Sequence, residues 1–268
     1  MTESGLGVPA ILAMKMTMWF DIMASMTRST IPEHLLFYRH LIHGGGWWSD
    51  CSGSNDPDLK IDNLTGCPAD VLLCIAEITK LAHWKVQESR TRTLSVTQLI
   101  ARGNIIESNL RMGEQASNQS GYGAMSRPSM STGLPGMTLR TDTQAMVASI
   151  YREAAILYLH SVLSECHPGV PEISRSVAEI KRKLENIMPS YMDRTLIFPI
   201  FIVSCLSSDP VSLEVLKGRT LRLQEPFMNC HRTQHAIEAV WIRRATNGGQ
   251  SVDWRESLRQ VGSDLLLV

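Results

Sequence analysis

His231 and His235, with Cys230 beside the first, come nearest in this chain to a metal-binding spacing. On a helix, positions i and i+4 share a face, so two imidazoles can grip one zinc ion. A structural site needs a third and fourth ligand, and a catalytic one needs a base such as the Glu of H-E-x-x-H. Arg232, Thr233 and Gln234 stand between the two histidines instead. The expectation is therefore a solvated pair at a helix start and no metal site. The six cysteines, Cys51, Cys67, Cys74, Cys166, Cys205 and Cys230, include no C-x2-C pair that could hold a metal from one turn. Scattered singly over apolar segments, they read as reduced core thiols, which suits an intracellular compartment.

Other candidate groups also carry plain readings. Gly44-Gly45-Gly46 precedes Trp47-Trp48. A phosphate-cradling glycine loop follows a strand and opens a helix, whereas this one follows a helix and opens a polar stretch. It reads as a helix stop with two aromatics packed on the body, and an exposed edge of Trp47 or Trp48 would be the best surface for a ligand or partner. Lys181-Arg182-Lys183, with Arg175 nearby, is diluted by Glu179 and Glu185 and reads as the solvated side of an amphipathic helix. Arg243-Arg244 suits the negative end of its own helix. Tyr151, Tyr158 and His160 lie on a strongly apolar helix and are expected to pack with satisfied polar tips. There is no nucleophile elbow, P-loop, dinucleotide fingerprint or carboxylate cluster. No catalytic residue or metal ligand is assigned, no cofactor is implied, and cofactor-binding positions stay open.

The composition narrows the field further. The 268 residues are 44% hydrophobic and 19% charged, as in a folded protein with a sizeable core. Lysines and arginines number 26 and acidic residues 26, giving a formal net charge of zero. A stand-alone nucleic-acid binder carries a basic excess, so direct DNA binding by this segment is not expected. There is no basic n-region followed by an apolar core, hence no secretory signal. The longest apolar stretch, Leu196 to Leu206, is too short to span a bilayer and reads as a buried helix.

The elements that would position these residues read as helices, in an all-α irregular multi-helix array or bundle. The first runs from about Pro9 to Met26, and a second follows Ile31-Pro32 with Leu35, Leu36 and Tyr38 on its apolar side. Residues about 49–66 are polar and read as a loop. Pro68 suits a first turn, and Val71, Ile75, Ile78 and Ala82 then recur on one helical face. Ser95-Val96-Thr97-Gln98 forms a capping-box pattern, ahead of a face of Val96, Leu99, Gly103, Ile106 and Leu110. Residues 113–142, rich in Gly, Ser, Pro, Asn and Met, read as a disordered insertion between two helical halves of a single 1–268 domain. Beyond it come helices from about Thr143 and from Pro171, then Leu196–Leu206, and three shorter ones near Val211–Gln224, Thr233–Ala245 and Asp253–Val261. Leu265-Leu266-Leu267-Val268 is expected to dock on the core.

One series of motifs runs along nearly the whole chain. It comprises Met18-Trp19-Phe20-Asp21-Ile22, Gly66-Cys67-Pro68, the stretch Tyr151 to Leu159, Leu196 to Ile202, Ala239-Val240-Trp241 and Asp253-Trp254. In order and spacing it resembles the fungal-specific transcription factor domain, over roughly residues 10–268. That resemblance implies an all-helical regulatory region, non-catalytic, acting in transcription by RNA polymerase II. It implies a nuclear location and partners in the transcription machinery or self-association, with a small-molecule effector as a further option. In the family this region follows a six-cysteine zinc cluster. No such cluster lies within these 268 residues, where Met1 stands almost at the start of the domain. Two other classes stay open on the residues alone: a helical protein-binding scaffold, and an all-helical enzyme with a buried polar pocket. Trp19, Trp241 and Trp254 are expected to act by packing.

Overall fold

The computed structural model describes residues 8–43, 65–123, 135–188, 191–221, 229–248, 250–261 and 265–267, of which 8, 114–123, 135–142, 191–192, 221, 229 and 261 are described by backbone alone. Ten α-helices and one 3-10 helix occupy them, and there is no strand among the described residues. The helices are α1 (Val8–Arg28), α2 (Leu35–His43), α3 (Ala69–Thr91), α4 (Val96–Gly123), α5 (Pro135–Leu163), α6 (Pro171–Glu185), α7 (Ile197–Leu206), α8 (Pro210–Leu221), α9 (Asn229–Thr246) and α10 (Trp254–Val261). The 3-10 turn Tyr191–Leu196 leads directly into α7.

Two helices form the centre. All ten residues of α7 are buried, as an apolar helix with no polar stripe requires. Helix α5 packs against α3, α4, α6 and α7, and buries Tyr151 and Arg152 together with the run from Ala154 to Val162. Around them the periodic faces lie as expected. Val71, Ile75 and Ile78 are fully buried in α3, with Ala82 half-buried. In α6, Ile173, Val177, Ile180 and Leu184 are buried, with Ile187 just beyond its end. Leu265 and Leu267 dock on the core, where the Leu265 carbonyl accepts from Thr27 Oγ1 at 2.7 Å.

Helix entry and exit follow local chemistry. Pro68 stands at the N-cap of α3, and Asp70 lies in its first turn. Half of the capping box forms: the Gln98 N–H donates to Ser95 Oγ at 3.3 Å. Gly66 has a φ of +74°, and a Cβ there would lie 2.7 Å from Val147 Cγ1, so only glycine fits this turn.

Some expectations needed correction. Leu36 is 76% and Val96 61% exposed: Leu36 stands one position beyond the buried Leu35, and Val96 is the first residue of α4, at the open end of its stripe. Helices α4 and α5 enter the 113–142 stretch from both sides, to Gly123 and from Pro135. Asn, Gln and Ser tolerate helix, so composition alone stops α4 too early and starts α5 too late. Residues 124–134, with Gly44-Gly45-Gly46, Trp47, Trp48 and Cys51, lie outside the described residues.

Candidate functional site

The motif residues, far apart along the chain, meet in one chain of aromatic rings. Trp19 of α1 lies edge-on to Tyr151 of α5 at 6.1 Å, and Tyr151 stacks on Phe198 of α7 at 6.2 Å. Phe198 meets Tyr158, Tyr158 meets Trp254, and Trp254 meets Phe201, at 6.4, 5.8 and 5.4 Å between ring centres. Edge-to-face pairs of this kind add about 0.5–1.5 kcal/mol each beyond burial. The polar tips are satisfied at two points: Tyr151 Oη donates to the Thr195 carbonyl, and Tyr158 Oη lies 3.3 Å from Thr79 Oγ1. Burial pushes both tyrosine pKa values up. These rings are structural and hold α1, α5, α7 and α10 together.

Arginines fasten the helices at buried points. Arg152 donates from Nη1 to Asp70 Oδ2 and to the Leu110 carbonyl, both at 2.9 Å, joining α5 to α3 and α4. Arg219 of α8 reaches Asp193 and the carbonyls of Leu184 and Ile187. Arg244 serves a helix other than its own: it donates to the carbonyls of Cys205 and Ser207 at the C-terminal end of α7. A buried arginine completing the orphan carbonyls of a neighbouring helix replaces the expected dipole role on α9. Trp241 Nε1 also donates to this helix, to the Ser204 carbonyl at 2.8 Å.

Around Arg255, a cleft of about 610 Å³ opens between the C-terminal end of α1, the C-terminal half of α3, the end of α5 and residues 251–259. Its walls include Arg28, Lys85, Arg90, Arg255 and Arg259, with Glu165 and Asp253 as the carboxylates. Lys85 Nζ donates to the Val162 carbonyl at 2.7 Å and lies 3.7 Å from Glu165 Oε1. Arg255 Nε donates to Asp253 Oδ1 at 3.0 Å, and its guanidinium lies 5.7 Å from the Tyr158 ring centre and 5.2 Å from that of Trp254. Burial works against the Arg255 charge, but the adjacent Asp253 carboxylate holds its pKa above the ordinary arginine value. Ser29 closes α1 with a φ of +57°, and its carbonyl lies 3.2 Å from His83 Nδ1. A second groove, of about 620 Å³ between α6 and α8, is rimmed by the exposed Met188, Val211 and Val215.

The residues singled out in the sequence do not gather into a reactive site. His231 and His235 stand exposed on the first turns of α9, with Cys230 buried beneath them. Among the described residues no group of three or more His, Cys, Asp or Glu is placed to hold a metal. Lys181, Arg182 and Lys183 are spent on Asp209 and Glu179 at 2.7–3.5 Å. His160 is buried beside Glu107 at 3.9 Å. Cys67, Cys74, Cys166, Cys205 and Cys230 are buried, unbridged thiols. Burial raises the pKa of Cys166 to about 11 and of Cys74 to about 12, so neither is a ready nucleophile at neutral pH. The cleft residues Arg28, Ser29, Lys85 and Arg255 escaped the sequence reading, because three distant segments supply them and no spacing links them. Among the described residues, no helix is long and apolar enough to cross a membrane.

Residues 12–268 match the family described as fungal specific transcription factor domain. The chain belongs to that family. Among relatives, it is 26% identical over 216 residues to the trichothecene biosynthesis transcription regulator TRI10 of Trichoderma arundinaceum, covering 78% of this chain and 46% of the relative. It is 25% identical over 260 residues to transcription factor dibT of Pestalotiopsis microspora, covering 94% and 40%. It is 22% identical over 262 residues to the ustiloxin B cluster transcription factor ustR of Aspergillus flavus, covering 93% and 41%. This fungal transcription factor domain thus spans less than half the length of these curated relatives. No solved structure matches it.

Proposed function

We propose that this chain is the regulatory region of a fungal transcription regulator, working in the nucleus on RNA polymerase II genes without catalysing a reaction. The carrying observation is the family match over residues 12–268, together with relatives named as regulators of biosynthetic clusters. Residues 1–268 act as one domain, with the Gly/Ser/Pro-rich part of 113–142 as an insertion. The motif residues support a scaffold role, since they build an aromatic spine and arginine fastenings. The output runs through protein partners or self-association, not through DNA contact by this segment, whose formal net charge is zero.

The test is to fuse the chain to an unrelated DNA-binding domain at a reporter promoter in a filamentous fungus. The expected outcome is a change in reporter output relative to the DNA-binding domain alone, at equal nuclear protein level. Output indistinguishable from that control would remove the regulatory reading. In a mobility-shift assay at physiological salt, the isolated chain is expected to leave a panel of promoter duplexes unshifted.

A further inference from the structure

We propose that the cleft between α1, α3 and residues 251–259 is a binding site for a small organic anion bearing a carboxylate or phosphate group, with Arg255 and Ser29 supplying its inner donors. Its biological role as an effector site rests on the regulatory reading above; the binding itself does not.

Two side chains on this wall carry an unmet demand. Arg255 is buried, at 7% exposure, and its Nη1 has no hydrogen-bond partner in the protein, so that a small shift of the side chain presents it to the cleft. Ser29 Oγ is likewise buried and without a partner. Both residues line the same cleft. An unsatisfied buried donor costs about 1–3 kcal/mol, and more when it is charged, so two of them on one concave wall call for a ligand that accepts hydrogen bonds. Asp253 already accepts from the Nε edge of Arg255 and from the Arg255 backbone N–H at 2.9 Å. This leaves an Nη group of a planar, always-charged fork, the chemistry that suits carboxylate and phosphate oxygens.

The surrounding charge has the matching sign. Five arginine and lysine side chains line the cleft against two carboxylates. The carboxylates pair as Glu165 with Lys85, Asp253 with Arg255 and, from just outside the lining, Glu256 with Arg259 at 2.5 Å, which leaves a smaller basic excess. A low-dielectric concave wall with a cationic surplus concentrates anions. The volume of about 610 Å³ falls within the range of small-molecule sites and is too confined for a duplex. Tyr158 and Trp254 pack against the Arg255 guanidinium and hold it in place, a form of preorganisation that lowers the cost of binding. The chain as a whole is neutral, so this basic cleft is a local feature and not part of a general polycationic surface.

The site also sits where occupancy can be felt. Its walls come from α1, α3, the end of α5 and the start of α10, so a bound anion would bridge both ends of the chain. Arg255 lies beside Trp254, the ring that links α10 to α5 and α7.

The test uses the full chain with inorganic phosphate and, separately, citrate as probes, in calorimetric titration and thermal unfolding at constant ionic strength, with chloride as control. The expected result is saturable binding of at least one probe, with a rise in melting temperature that chloride does not reproduce. The preferred probe tells whether the ligand's oxygens belong to phosphate or carboxylate. Ser29→Ala removes only an unpartnered hydroxyl, so it is expected to fold as wild type and to weaken binding at least fivefold. Arg255→Lys keeps the charge but loses the fork and is expected to weaken binding at least tenfold; if it fails to fold by circular dichroism, Ser29→Ala alone decides. No saturable binding of either probe, or unchanged affinity in Ser29→Ala, would overturn the proposal. So would binding of a short DNA duplex with the same variant dependence and no response to the small anions. The reporter fusion is scored separately: its failure with anion binding intact would remove the regulatory role and leave the site, and the reverse result would remove the site alone.

Discussion

Arg219 of α8 donates twice to Asp193 Oδ1, at 3.2 Å from Nε and 2.7 Å from Nη2, with both side chains all but excluded from solvent. The same guanidinium also holds the carbonyls of Leu184 and Ile187 at 2.6 and 3.0 Å. The pair therefore ties the end of α6, the 3-10 turn and α8 into one corner beneath α7.

Removing one partner of a buried pair leaves the other charge uncompensated, at a cost of about 3–5 kcal/mol. Asp193→Ala is expected to destabilise the chain by that amount, measured by urea unfolding beside wild type. Arg182→Ala, at an exposed pair, is expected to leave the unfolding midpoint nearly unchanged. Equal effects of the two substitutions would count against this reading.

Trp254 is fully buried between Tyr158 and Phe201, whereas Trp241 is half-buried on the Ser204 carbonyl. Trp254→Ala is expected to cost about 3–5 kcal/mol and to lower the melting temperature more than Trp241→Ala does. Scanning calorimetry of both variants checks the order. An unchanged melting temperature for Trp241→Ala, with altered reporter output, would place that residue on a partner surface.

Gly66→Ala forces a Cβ onto a backbone at positive φ and against Val147. The expected loss is about 1–3 kcal/mol. Gly248→Ala, also at positive φ but with open space around it, is expected to cost less. Chemical denaturation of the two variants separates steric conflict from backbone strain.

Alkaline pH should loosen the fold. Burial holds the thiols of Cys166 and Cys74 protonated to about 11 and 12, against an ordinary value of 9.0. A group whose pKa is raised by folding gives stability that is full below the unfolded pKa and fades above it. The melting temperature is therefore expected to fall as pH rises from about 9 toward 11. Replacing Cys166 and Cys74 by alanine and serine should flatten that slope. A slope that survives intact would assign it to other groups, Tyr38 among them, whose pKa is also raised by burial and by Asp21.

The helical class and most of the buried faces are legible in the residues alone. Period and terminators are local, so Ile173, Val177, Ile180 and Leu184 could be assigned to the core from their spacing, and the apolar run Leu196–Leu206 to a helix buried all round. These 268 residues also hold no C-x2-C pair, the local arrangement that a cysteine-based zinc cluster needs. Pattern failed where a single position decided: Leu36 stands next to the buried Leu35 yet faces solvent, and Val96 shares the spacing of Leu99 but opens its helix and is exposed. What the charged residues do is visible only once the helices are packed. Arg244 ends on the carbonyls of α7 instead of its own helix, Arg219 finds Asp193, and Arg255 joins Ser29 and Lys85 on one wall. Those partners come from segments tens to hundreds of residues away, and hydrogen-bond geometry and desolvation act on distance in space, which spacing along one chain does not encode.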